Sequence, residues 1–187
     1  MNTLQRFVGH CKTVNKHRRL VRKLCFQFGL YRQGITHDLS KYSPVEFLNG
    51  VRFYTGKKSP HCGERDAYGY SKAWLHHKGR NKHHAEYWQD IMPCGTTQPV
   101  PIPENYLLEM ICDRVAASMT YCKDAYTNAS PWEYYCAHKH ENNVHPETRR
   151  KLESALMAIA SQGMNPIAIR QIIADDSQDI PCDHTDS

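Results

Sequence analysis

The apolar spacing of the first thirty residues limits the fold more than any other feature. Leu4, Phe7, Cys11, Val14, Val21, Leu24, Cys25 and Phe28 recur mostly at three- and four-residue steps, the period of one helix face. Gly29 follows as a stop. At about 100° per residue, His10, Val14, His17, Val21 and Leu24 share a sector about 80° wide. Two imidazoles therefore lie on a stripe that should face the core. A core His is ordinarily satisfied by hydrogen bonds, and that is the expectation for His10. His17 acquires a different one from the residues that follow it.

The same period governs most of the chain. Ser43, Pro44 and Glu46 spell a helix start, with a capping Ser, Pro in the first turn and Glu reaching back to the cap. Ser130, Pro131 and Glu133 repeat the device. A short helix is expected over 73–77, interrupted by Gly79, and another around 86–90. Strong helices are expected from Tyr106 through Val115 and from Pro146 to Gly163, and a shorter one over 166–174. Residues 55–70, rich in Gly, Lys, Ser and Pro, read as a long loop, and the four Pro of 92–103 argue against regular structure there. Val and Ile never alternate with polar residues for long, so no sheet is expected. The fold class is all-α, a single-domain helical bundle over 1–163, followed by a short helix and an acidic tail over 164–187.

Charge and cysteine narrow the function classes. Residues 1–163 hold 23 basic and 14 acidic side chains, and the first 37 hold eight basic and no acidic ones. Such a stretch attracts phosphate, on a nucleotide, a nucleic acid or a lipid headgroup. The eight Cys lie at least ten positions apart and form no CxxC, which excludes a zinc ribbon and a thioredoxin-type pair. No run approaches the ~20 apolar residues of a membrane span. The first residues, MNTLQRFVGH, lack the pattern of an export signal. A reduced, cytoplasmic protein with no membrane partner is the expectation.

Histidine carries the chemistry. Eight of the twelve His lie between His10 and His84, in clusters. His37-Asp38, within HDLSK, sets an imidazole beside a carboxylate, two donors that Zn, Fe or Mn accept together. HHKGRNKHH packs His76, His77, His83 and His84 into nine positions around Arg80 and Asn81. Four His so close suit metal or phosphate better than surface filler. Asp113 interrupts the apolar helix YLLEMICDRVAAS, where burying an ionised carboxylate needs a partner such as a metal ion or a core Arg. His61, His138, His140 and His184 lie in polar stretches and read as surface residues. His145, before Pro146, reads as a helix cap.

The order His17, His37-Asp38, Asp113 resembles the HD superfamily of metal-dependent phosphohydrolases, and HDLSK is similar to its signature. More closely, the chain resembles an uncharacterised bacterial and phage family, a domain of unknown function. That family shares an HDLSK-[FY]-S-P-x-EF block, an HH…N-x-HH-x-E-[YF]-W block and a helix with a Cys-Asp pair. Here these are His37 to Phe47, His76 to Trp88 and Cys112-Asp113, within a resemblance covering roughly 10–163. The resemblance implies an HD-like helical fold with metal ligands at His17, His37, Asp38 and Asp113, and further ligands at His77, His83 and His84. HHKGRNKHH departs from the general HD pattern and leaves one or two ions open.

The implied reaction is hydrolysis of a phosphorylated small molecule such as a nucleotide. Divalent Fe, Mn or Zn lowers the pKa of a bound water and draws charge from the phosphate. Asp38 would both ligate metal and orient that water. Lys41 and Arg80 would clamp phosphate oxygens, with His76 and Asn81 assisting at the substrate. Two other readings compete. One is a di-iron oxygenase-like HD protein. The other is a basic nucleic-acid-binding protein with a structural metal, its backbone tracked by Lys12, Lys16, Arg18, Arg19, Arg22 and Lys23.

Overall fold

A computed structural model describes residues 1–139 and 143–175 of the chain. His140, His184, Cys182 and most of the acidic tail lie outside the described residues. Nine α-helices among those residues account for nearly all regular structure, as the apolar period requires. They are α1 (Thr3–Gln27), α2 (Tyr31–Thr36), α3 (Pro44–Phe53), α4 (Pro60–Tyr68), α5 (Lys72–Lys78), α6 (Glu104–Cys122), α7 (Ser130–His138), α8 (Pro146–Gln162) and α9 (Pro166–Ala174). None of the helices is long and apolar enough to cross a membrane. The seven described cysteines are free thiols.

The helices α1 and α6 form the central pair. Helices α2 and α3 pack on α1, α4 and α5 pack on α3, and α7, α8 and α9 close the other side of α6. The shared core joins Val21, Leu24, Cys25 and Phe28 of α1 to Leu107, Leu108, Ile111, Cys112 and Val115 of α6. Leu152, Leu156 and Ile159 of α8 complete it, with Ile169 and Ile173 of α9. Helix α9 thus buries its apolar face in the same core as the helices before residue 163. Arg170 ties it down, pairing with Glu104 at 3.2 Å and donating to the Phe28 carbonyl at the end of α1. The half of α1 that precedes this core, with His10, Val14 and His17, turns its buried stripe toward the histidine clusters.

Several local expectations are corrected. Residues 55–70 are not all loop, because Pro60 opens α4 and Gly69, at φ +78°, ends it. Its buried Glu64 accepts from Ser71 and from the amides of Lys72 and Ala73, joining α4 to the start of α5. Too few apolar residues mark that helix for its period to show. The helix expected over 86–90 is one 3-10 turn, Ala85–Tyr87, leading into a two-stranded antiparallel hairpin, Gln89–Ile91 with Thr97–Pro99. Gly95, at φ +82°, makes the reversal, and Pro99 stands at the ladder end, where its missing N–H costs little. Ser43 caps α3 by accepting from the Glu46 amide, but the Glu46 side chain does not reach back to the cap. Ser130 lies inside α7 after the cap position, which Ala129 holds, and its Oγ accepts from the Thr127 amide. His145 occupies the cap position of α8 without a side-chain cap hydrogen bond.

Close approach of α1 and α3 depends on Gly50, which lies directly against the His10 ring, so that a Cβ there would overlap the imidazole. Phe47 and Tyr54 flank the same ring, at centroid distances of 5.3 and 6.0 Å. Burial, aided by the charge of Lys41, lowers the His10 pKa to about 4. Gly50→Ala should therefore destabilise the fold by about 1–3 kcal/mol, read as a lower thermal midpoint. His10 is held neutral, so its contribution is complete above about pH 6.5 and is lost as pH falls toward 4. Stability measured across that window should fall less steeply in His10→Gln than in the wild type.

Candidate metal centre

The site forms where the ends of several elements meet α1 and α6. His17 comes from the buried face of α1, and His37 follows the last turn of α2. Arg18 fixes that turn by donating to the His37 and Ile35 carbonyls at 2.8 and 3.0 Å. Asp38 adopts left-handed backbone geometry, φ +52° and ψ +29°, which Asp tolerates better than most residues. His77 lies on α5, which Ser71 caps by accepting from the Trp74 amide. Asn81 donates to the His77 carbonyl and to Ser40 Oγ, at 2.8 and 2.9 Å, and so pins the turn that presents His83 and His84. Helix α6 supplies Glu109 and Asp113, one turn apart on one face.

Asp38 is the hub. Its side chain is 1% exposed. Its Oδ2 lies 3.3 Å from His37 Nε2 and 3.8 Å from His17 Nε2. Asp113 Oδ1 completes that group, 2.9 Å from His17 Nε2 and 3.4 Å from His37 Nε2. The other oxygen, Oδ1, lies 3.3 Å from His77 Nε2 and 3.5 Å from His83 Nε2, in a second group that includes His84. Donors bound about 2.0–2.2 Å from a common ion lie roughly 3–3.5 Å apart, so both groups have the dimensions of a metal site. The Nε2 atoms of His17, His37, His83 and His84 and both Asp38 oxygens are buried without a hydrogen bond of good geometry. Buried polar atoms are seldom left so, and their convergence is what a cation would satisfy.

Two further carboxylates orient the imidazoles from behind. Glu109 Oε1 is 2.9 Å from His37 Nδ1 and 3.2 Å from His83 Nδ1. Glu46 Oε1 and Oε2 face His76 Nδ1 and His77 Nδ1, at 2.6 and 2.8 Å. An ionised carboxylate only accepts, so each of these Nδ1 atoms carries the proton, and the Nε2 atoms of His37, His77 and His83 are left for the centre. Glu109 thereby holds one ligand from each group.

The charges agree with a cation site. Burial opposes ionisation of Asp38, but His37, Lys41 and His77 outweigh it and hold the carboxyl well below its ordinary range. Asp113 is likewise held well below the ordinary range, its hydrogen bonds from His17 and His37 overcoming burial. Hydrogen bonds also lower Glu46 and Glu109 against burial, the first from His77 and His76, the second from His37 and His83. Burial disfavours charge on His37, yet Asp38, Asp113 and Glu109 raise it well above the usual value. His17 and His84 shift down, chiefly through burial. Lys41 Nζ lies 2.6 Å from Asp38 Oδ2.

A cavity of about 470 Å³ opens onto both groups. Lys41, Lys57, Lys58 and Arg114 line it with Tyr54, Trp74, Tyr121 and Tyr134. Of the residues assigned to substrate from the sequence, Lys41 reaches this cavity. Arg80 and Asn81 line a separate groove behind the site with Arg32, Lys82 and Glu109. Arg80 donates to the His76 carbonyl at 3.3 Å, and His76 is engaged by Glu46. His61, read as a surface residue, instead lines the cavity, its ring centroid 5.3 Å from that of Trp74 and 6.1 Å from that of His77.

Sequence reasoning did not single out Glu46 or Glu109. Glu46 was absorbed by the capping pattern. Glu109 had a readable signal, because it precedes Asp113 by four residues on a long helix whose other buried residues are mostly apolar. Glu109→Gln should weaken binding of added Mn²⁺ by about 10- to 100-fold in both groups, since one His in each loses its anchor. Chelator-competition titration of the folded variant checks this, and unchanged affinity would remove Glu109 from the centre.

Neither a curated protein nor a solved structure matches the chain. A family model does match, over residues 6–158, and it spans the central helix pair and every ligand candidate described above. On that match the chain belongs to the Family of unknown function (DUF5662).

Proposed function

We propose that this protein is a two-metal hydrolase acting on a phosphorylated small molecule. The observation that carries the reading is Asp38, whose two oxygens face two different sets of imidazoles across 3.3–3.8 Å. A carboxylate so placed would help to hold an ion in each set, and two such ions would supply the charge that displacement at phosphorus needs. The N and O donors fit Mn, Fe or Zn. Bound there, the metals would supply a water acidic enough to attack at neutral pH and would draw charge from the phosphate oxygens.

The protein groups divide the remaining work. Asp38 would help to hold the metal and orient the attacking water, and Lys41, paired with Asp38, would offset negative charge at the cavity edge. Glu46 and Glu109 hold the imidazoles so that no ligand must reorganise during reaction. The aromatic walls at Tyr54, Trp74 and Tyr121 exclude water and accept an apolar or planar portion of the substrate. A cavity of about 470 Å³ suits one small molecule, which favours it over a polymer. One observation supports nucleic acid instead. Lys12, Lys16, Arg19, Arg22 and Lys23 are all exposed on α1, which has no acidic residue. Arg18, by contrast, is occupied with the carbonyls of α2.

Metal analysis of the wild type, His37→Ala and Asp38→Ala, with a phosphoester screen on the same samples, tests the reading. The wild type should hold two equivalents of metal per chain and release phosphate. Asp38→Ala should lose both ions, and turnover should fall on the order of 100-fold or more. A wild type that stays inert after loading with Mn, Fe or Zn would exclude hydrolysis. Inertness combined with a visible absorption band and dioxygen uptake in the iron form would point to an oxygenase.

A further inference from the structure

Arg114 follows Asp113 on α6 and lines the same cavity. Every other cation on that cavity is accounted for differently. Lys41 is paired with Asp38, Lys58 with Asp66 at 3.0 Å, and Lys57 is exposed to water. Arg114 is neither exposed nor paired. Among the described residues no carboxylate oxygen lies within 4.0 Å of its guanidinium, and its Nε is buried without a hydrogen bond. Its head group lies over one face of the Tyr135 ring, at 5.5 Å to the centroid. That contact leaves the edge donors of the guanidinium unused.

A half-buried cation with no paired carboxylate, its Nε withdrawn from water, is suited to an anion supplied from outside the chain. Asp113 next to it belongs to the metal group, so its oxygen is committed elsewhere. A planar fork of N–H donors beside a metal centre matches an oxyanion, and phosphate above all.

We propose that Arg114 is the anion-binding residue of the cavity, and that it takes a phosphate group of the ligand next to the metal centre. Naming phosphate rests on the hydrolase reading, but the anion subsite stands on the unpaired guanidinium alone. It gives the cavity a polarity, with the phosphate held between Arg114 and the centre and the rest of the ligand along the aromatic wall.

The test uses inorganic phosphate, titrated calorimetrically into the full chain as purified and after loading with Mn²⁺. Wild type should bind in at least one of these states, and Arg114→Met should weaken that binding on the order of 10- to 100-fold. Arg114→Lys should recover part of the loss, because it restores the charge without the fork. Arg32→Met, which removes a cation from the groove behind the site, should bind as the wild type does. Without phosphate, Arg114→Met should melt no lower than the wild type, since it removes an unpaired buried charge. Phosphate should raise the melting temperature of the wild type alone of that pair. The proposal is overturned if Arg114→Met binds phosphate as tightly as the wild type, if Arg32→Met loses binding equally, or if the wild type binds none in either state. Arg114-dependent phosphate binding by a chain that takes up no metal would end the hydrolase reading and leave this subsite standing. Phosphoester turnover unaffected by Arg114→Met would do the reverse.

Discussion

The structure turns on the burial of one carboxylate. Asp38 is ionised and withdrawn from water, in a backbone conformation that most residues avoid, and its own segment answers only Oδ2, through His37 and Lys41. Its Oδ1 depends on other elements, and α5 and the turn before Ala85 bring His77 and His83 to it, while α1 sets His17 beside Oδ2. The arrangement of these elements follows from that demand. Arg18 locks the end of α2 so that His37 and Asp38 are presented together, and Asn81 locks the turn that brings His83 and His84.

A second layer of buried acids makes the first layer usable. Glu109 and Glu46 accept from the Nδ1 atoms of four imidazoles, and three of these, His37, His77 and His83, turn the opposite nitrogen inward. Four ionised carboxylates in so small a volume would repel one another strongly if only imidazoles answered them. Lys41 offsets part of that charge, and a divalent cation would offset the rest. Arg114 presents the opposite imbalance a residue away from Asp113, a cation on the cavity wall with no paired carboxylate among the described residues.

Much of this was legible in the sequence because it rests on short-range pattern. The all-α class follows from apolar residues at three- and four-residue steps, and the central helices α1, α6 and α8 are long enough for the period to be unmistakable. His17 on an apolar stripe, His37 beside Asp38, and the HHKGRNKHH cluster stand out as residue types that a core does not bury without reason. Helix α4 was not legible, because nine residues with few apolar ones carry too little periodicity. The hairpin at 89–99 is held by its own turn at Gly95 and by main-chain bonds, and two three-residue strands leave no alternation to read. His61 looked like surface because its neighbours in the chain are polar, while its neighbours in space are Trp74 and His77.

By itself the sequence determined the helical class and which imidazoles and carboxylates are out of place in a core. It did so because helix period and residue polarity are local properties. Only the tertiary structure decided how those groups divide. It turned one oxygen of Asp38 toward His17, His37 and Asp113 and the other toward His77, His83 and His84. It made Glu46 and Glu109 the partners of Nδ1 atoms, and it moved Arg80 to the far side while placing Arg114 on the cavity. These are facts of distance between residues up to about a hundred positions apart, fixed by how α1 and α6 pack, and no spacing along the chain encodes them.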